Sequence, residues 1–236
     1  MCYLYNHYFK TFPLIAHNPL IDIACPIWHG LEHDICPLNR CFVPDELTIV
    51  TWNNFSYDSP LELQLKKMNI DYVCLGKGLE WFTNRNKPLT LMQARHLIKT
   101  KYVLGLDSFD VIIVQNLEHI ITRFKSLNAK LVYNATATVY PDVLSDKELE
   151  KTLAPAPYHF FNSGMFLGEI DYLTEVLEEV DFNDKDYPTS DQYLLRKLYH
   201  KYYPTIQIDW GCRIFQVVKD SKLEDFVTLK SRYRLL

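Results

Sequence analysis

YVLGLDSFDVIIV, residues 102–114, decides the fold. It reads as a strand, a sharp polar break and a second apolar run. Aspartate favours neither strands nor cores, yet Asp107 and Asp110 stand inside the most hydrophobic segment of the chain. In open parallel sheets, ligands gather beyond the carboxyl ends of the strands. Asp107 stands at such an end.

The flanking sequence supplies the rest of the sheet. ELTIVTW (46–52) and IDYVCLG (70–76) read as buried strands upstream, and KLVYNATA (130–137) as one downstream. Helical patterns lie between them. SPLELQLKKMN (59–69) has Ser59 as N-cap and Pro60 at the first helical position. LTLMQARHLIKT (89–100) reads as a helix capped by Thr90, and NLEHIITRFKSLN (116–128) is amphipathic. Strands alternating with helices predict an α/β domain with a mostly parallel sheet. The reading is one domain, residues 46–236, behind an irregular extension, residues 1–45, punctuated by Pro13, Pro19, Pro26, Pro37 and Pro44.

The composition bounds the function. The 236 residues are 48% hydrophobic and 23% charged, with a net charge of −4, which fits a globular protein. An acidic balance argues against a nucleic-acid partner. No apolar run approaches the ~20 residues of a membrane span. No basic start precedes a long apolar stretch, so the expectation is a cytoplasmic chain whose six cysteines are reduced.

Two carboxylates at the mouth of a strand can converge on one hard cation. Mg²⁺ and Mn²⁺ take oxygen ligands, commonly one or two carboxylates together with substrate phosphates. Such an ion makes a diphosphate a better leaving group, and Phe109 between the two aspartates suits a nucleobase face. The residues alone leave two other readings open: a plain Asp-Ser turn, and a metal-dependent phosphoester hydrolase built on the same pair.

LGLDSFDVIIV resembles the metal-binding segment of the glycosyltransferase domain of collagen lysyl hydroxylases and related procollagen glycosyltransferases, where a strand ends in Asp-Ser-Tyr-Asp. Four more segments resemble that family in the same order: LGKGLEW (75–81), FFNSGMFLG (160–168), SDQYLLRKLY (190–199) and IDWGCRIFQ (208–216). The resemblance implies a GT-A fold and a UDP-sugar donor held through Mn²⁺ or Mg²⁺. It implies transfer of a hexose to a hydroxyl acceptor, a sugar or a hydroxylated protein side chain. Carried over, Asp107 and Asp110 hold the metal, Phe109 faces the uracil, and Thr51 and Trp81 line the nucleotide and donor site. Asn162, Ser163 and Gly164 form the turn beside the donor sugar, and Asp191 and Gln192 sit near the sugar and acceptor.

The departures from the family are specific. Leu89, Thr90 and Leu91 replace a glycine-rich stretch, Gln93 is kept, and Ala94 stands where lysine is expected. Either a donor-phosphate contact is lost or Arg95 takes it over. The family's third metal ligand is a histidine in a His-Gly-Asn-Gly segment beyond Ile-Phe-Gln, and the residues after Ile214-Phe215-Gln216 do not present one. Four alternatives stand: two protein ligands, a substitute ligand, a chain that continues further, or a binding module without turnover. Cys25, His29, His33, Cys36 and Cys41 fall at close spacing but match no common zinc module. They read as ordinary packing and surface residues.

Overall fold

The computed structural model describes residues 2–19, 41–81, 83–155, 157–219 and 226–230. Cys25, His29, His33 and Cys36 lie outside the described residues. The central sheet has six strands, ordered β4-β3-β5-β8-β7-β9. These are β3 (Leu47–Trp52), β4 (Tyr72–Leu75), β5 (Tyr102–Leu106), β7 (Leu131–Thr136), β8 (Phe160–Glu169) and β9 (Ile206–Ile208). β3 runs parallel to β4 and β5, and β7 parallel to β9; β8 alone is antiparallel to its neighbours. The α/β class with a mostly parallel sheet is borne out.

Both faces of this sheet are buried, which is why its strands carry continuous apolar runs. Successive residues on a strand point to opposite faces. Val50, Val103, Tyr133 and Phe166 accordingly join one core, and Ile49, Leu104, Val132 and Leu167 the other. The first core is closed by α2 (Asn86–Gln93), α5 (Ile170–Leu177) and α6 (Asp191–Tyr202) through Leu91, Leu173, Leu177, Leu195 and Tyr199. The second is closed by α1 (Pro60–Lys67) and α3 (Ile120–Lys125) through Leu61, Leu65, Ile120 and Phe124. A further helix, α4 (Leu144–Leu153), packs against β8.

α1 starts as its sequence dictates. The Ser59 side chain accepts from Glu62 N while Glu62 accepts from Ser59 N, a reciprocal capping box with Pro60 at the first position. α2 departs from expectation: it begins at Asn86, before Thr90, and stops at Gln93. Thr90 lies inside the helix, where its hydroxyl donates to Asn86 O at 2.7 Å. The start is set by Arg85, whose guanidinium donates to the carbonyls of Phe182, Asp184, Asp186 and Tyr187.

Residues 2–6 and 15–17, read from sequence as irregular, are strands. β1 (Cys2–Asn6) pairs antiparallel with β11 (Phe226–Lys230). β2 (Ile15–His17) lies between β10 (Phe215–Val217) and β6 (Val111–Ile113) in a second sheet, parallel to the former and antiparallel to the latter. Three-residue strands flanked by proline carry almost no local signal; distant partners make them strands. The apolar run after Asp110 thus leaves the central sheet for this smaller one.

Candidate functional site

A cavity of about 1050 Å³ opens at the ends of β3 and β5. The turn 107–110 forms its floor and is pinned on every side. Asp107 N donates to Gly164 O at 2.9 Å, and Asn18 N to Asp110 O at 2.9 Å. The buried Ser108 hydroxyl donates to Trp52 O at 2.6 Å, and Leu61 N donates to Ser108 O at 3.1 Å. A serine between the aspartates therefore fixes the backbone so that both carboxylates face the cavity.

A histidine completes the group. Ligand atoms of His17, Asp107 and Asp110 all lie within 4.8 Å of one another. His17 is buried, its Nε2 lies 3.4 Å from Asp110 Oδ2, and that nitrogen has no hydrogen-bond partner. Its Nδ1 stands 3.2 Å from Asn134 Nδ2, whose amide oxygen accepts from Met165 N, and this contact orients the ring. One imidazole and two carboxylates are a donor set suited to Mn²⁺. The orphaned Nε2 aimed at the pair fits a cation there.

Sequence reasoning missed His17 because the family resemblance points beyond Ile214-Phe215-Gln216. Here the histidine precedes that segment in sequence yet lies beside it in space, with His17 opposite Val217 in the parallel β2–β10 pair. A short apolar run ending in histidine, Leu14-Ile15-Ala16-His17, was the available signal. Asp209 shapes the other side: its buried carboxylate accepts from the backbone of Arg213, Ile214 and Phe215 and so launches β10.

Gly164 is required by close approach. A Cβ built there would stand 2.3 Å from His17 Cε1 and 2.9 Å from Asp107 Oδ2, far inside contact distance. The glycine sits in an irregularity of β8. Opposite the adjacent residues Tyr133 and Asn134 of β7 the partner jumps from Phe166 to Asn162, so Ser163, Gly164 and Met165 have no partners on that strand. A bulge leaves backbone donors to be satisfied otherwise. Three side-chain amides take them. Ser163 N donates to Gln192 Oε1 at 3.2 Å, Gly164 N to Asn162 Oδ1 at 2.9 Å, and Met165 N to Asn134 Oδ1 at 3.1 Å. Gln192 also donates to Tyr140 O. Asn162 and Gln192 line the cavity, but their amides are engaged in shaping it. Arg196 continues the work of Gln192: fully buried, it donates to Pro141 O and Tyr140 O and faces Glu150 at 3.2 Å.

The remaining expected residues divide. Asp107, Phe109, Asp110, Trp81, Asn162, Ser163, Gly164, Asp191 and Gln192 all line the one cavity. Trp81 lies against Gly76, where φ is +88° and a Cβ would stand 2.8 Å from the indole, so the glycine is needed on both counts. Phe109 meets Phe55 and Tyr57 edge-on, with ring centroids 5.5 and 6.4 Å away. Thr51 is not at the cavity: it is fully buried and its hydroxyl donates to Leu106 O at 2.9 Å, bridging β3 and β5. Arg95 does not replace the expected lysine, for it pairs with Asp171 at 2.5 Å on another part of the surface.

Among the described residues two lysines line the cavity, Lys219 and Lys87; Lys87, in the first turn of α2, has its Nζ 2.5 Å from Asp107 Oδ1. Burial pushes the Asp107 carboxyl above its ordinary value; Asp110 adds to this while Lys87 and His17 pull against it. Burial works to lower Lys87, but Asp107, Asp191 and Asp110 outweigh it and hold the ammonium protonated. Asp191 is 4% exposed at the start of α6, where Ser190 caps the helix by accepting from Tyr193 N at 3.2 Å. The site thus gathers the His17–Asp107–Asp110 group, two ammonium groups, the buried Asp191 carboxylate and aromatic faces in one opening.

Residues 47–234 match the model of the PLOD GT domain. The chain is similar to procollagen-lysine,2-oxoglutarate 5-dioxygenase 2 of Mus musculus, 25% identical over 200 residues that cover 78% of this chain and 26% of that protein. It is also similar to procollagen-lysine,2-oxoglutarate 5-dioxygenase 1 of Homo sapiens, 27% identical over 173 residues, or 67% of this chain and 23% of that protein. The chain therefore spans about a quarter of the length of these relatives. The family match begins after His17.

Proposed function

Because the chain belongs to the PLOD GT domain family and has its GT-A-like fold, we propose that it transfers a hexose from a UDP-sugar to a hydroxyl acceptor with a divalent cation, Mn²⁺ or Mg²⁺. His17, Asp107 and Asp110 would hold the ion, whose chemistry there is to neutralise the diphosphate as it leaves. Phe109 offers its face to the uracil, while Phe55 and Tyr57 brace that ring through T-shaped contacts. Trp81 and the Asn162–Gly164 bulge bound the donor sugar. Asp191 orients sugar hydroxyls from the start of α6. The bond between the anomeric carbon and the diphosphate breaks, a bond to the acceptor oxygen forms, and the acceptor hydroxyl loses its proton. Holding donor and acceptor in one opening supplies much of the rate.

The observation that carries this reading is the His17–Asp107–Asp110 group beside Gly164, in a cavity lined by the family's segments. A binding module without turnover drew its support from a missing third ligand, and His17 answers that want. The test is calorimetry with UDP and Mn²⁺ together with an assay of UDP release from UDP-hexoses. Wild-type protein is expected to bind UDP only with metal and to consume a donor, and Asp110→Ala to do neither. Metal-independent UDP binding unchanged in Asp110→Ala would sink the assignment. Turnover of generic phosphoesters without preference for uridine would point to a hydrolase.

A further inference from the structure

Lys87 occupies the carboxylate that a cation would take. Its Nζ lies 2.5 Å from Asp107 Oδ1, and both side chains are largely buried, at 16% and 19% exposure. The backbone of Lys87 is held in place: it lies within α2 and its carbonyl accepts from Trp52 Nε1 at 3.1 Å. The four-carbon stem can swing, and an ammonium is a compact point charge with three rotatable donors.

Charge decides what happens next. With Lys87 in place, a divalent ion beside Asp107 brings three positive charges close together in a partly dry cavity, where like charges repel strongly. A diphosphate arriving with the ion supplies the negative charge that relieves this, and gives the ammonium phosphate oxygens to donate to.

We propose that Lys87 is a resident counter-ion that couples the two ligands: it holds Asp107 in the free protein, opposes a divalent cation entering alone, and turns to the diphosphate when cation and diphosphate arrive together. This deepens the sugar-nucleotide reading and rests on it. Coupling of this kind is reciprocal: the factor by which the diphosphate tightens the cation is the factor by which the cation tightens the diphosphate. The site then avoids trapping its metal without a donor.

The test counts free Mn²⁺ by electron paramagnetic resonance during titrations with and without UDP, so it needs no turnover. Saturating UDP is expected to tighten Mn²⁺ on wild-type protein by on the order of tenfold or more. Lys87→Gln is expected to bind Mn²⁺ alone more tightly than wild type, and to lose most of the UDP enhancement. Lys87→Arg, which keeps the charge, retains the wild-type pattern. Lys87→Met, which keeps the stem, replaces the glutamine variant should that one fail to melt cooperatively. A neutral variant that binds Mn²⁺ alone no better than wild type and keeps the full UDP enhancement overturns the coupling role while leaving the metal site standing. Wild-type protein that binds neither Mn²⁺ nor UDP overturns the underlying reading with it.

Discussion

Replacing Glu62 by glutamine tests how the aromatic wall of the cavity is held. The Glu62 side chain is 1% exposed and faces Lys77 Nζ at 3.2 Å. It accepts from Ser59 N at 2.8 Å and from Asn53 Nδ2. Burial opposes its charge, but these bonds outweigh burial and draw the carboxyl from 4.5 down to about 2. At 1.36 kcal/mol per pH unit, that difference is worth about 3 kcal/mol of folding stability. The sign is that of a depressed carboxylate: the stabilisation is complete above about pH 4.5 and is lost as pH falls toward 2. Glu62→Gln should therefore cost up to about 3 kcal/mol in urea unfolding at pH 7. It should also flatten the decline of stability between pH 4.5 and 2. Asn53 accepts from Phe55 N at 2.9 Å and donates to Tyr57 O at 2.8 Å, so the variant should also weaken UDP binding beside Phe109. A variant within 1 kcal/mol of wild type at pH 7, or one whose acid limb is undiminished, would refute the reasoning.

Two further outcomes follow from the geometry. Gly164→Ala places a methyl 2.3 Å from His17 Cε1; overpacking costs about 1–3 kcal/mol, and Mn²⁺ affinity should fall by more than stability, as titration and melting curves compared side by side would reveal. Arg196→Met leaves the Glu150 carboxylate buried without its guanidinium partner, with His200 Nε2 3.1 Å away at the same Oε1; the cost should be about 3–5 kcal/mol, with faster amide exchange in the 140–142 segment whose carbonyls Arg196 holds.

What could be read from sequence was what is encoded locally. Ser59 and Pro60 announce α1, continuous apolar runs announce β3 and β5, and the Asp-Ser-Phe-Asp turn announces a ligand edge. What escaped was set by distant partners. Thr90 looks like a cap, but the cap position is Arg85, five residues earlier and anchored across space to residues 182–187. His17 becomes part of the site only because β2 is gripped between β6 and β10. Thr51 has the residue type for a ligand contact, yet its hydroxyl is consumed inside the sheet. The resemblance sets Asn162 and Gln192 beside the sugar and acceptor; what it does not convey is that their amide oxygens also accept from the backbone donors of the β8 bulge.

The stretch of β8 without partners on β7 has a consequence for how this chain can vary. Side chains along a strand alternate in direction, so removing or adding one residue between Asn162 and Phe166 would invert everything on one side of the change. Either Phe161 would leave the interior or the aromatic at 166 would, and the three amides would no longer meet three donors. Substitutions here can be tolerated according to size and polarity, but insertions and deletions cannot. In related chains, this five-residue interval should keep its length even where its letters differ.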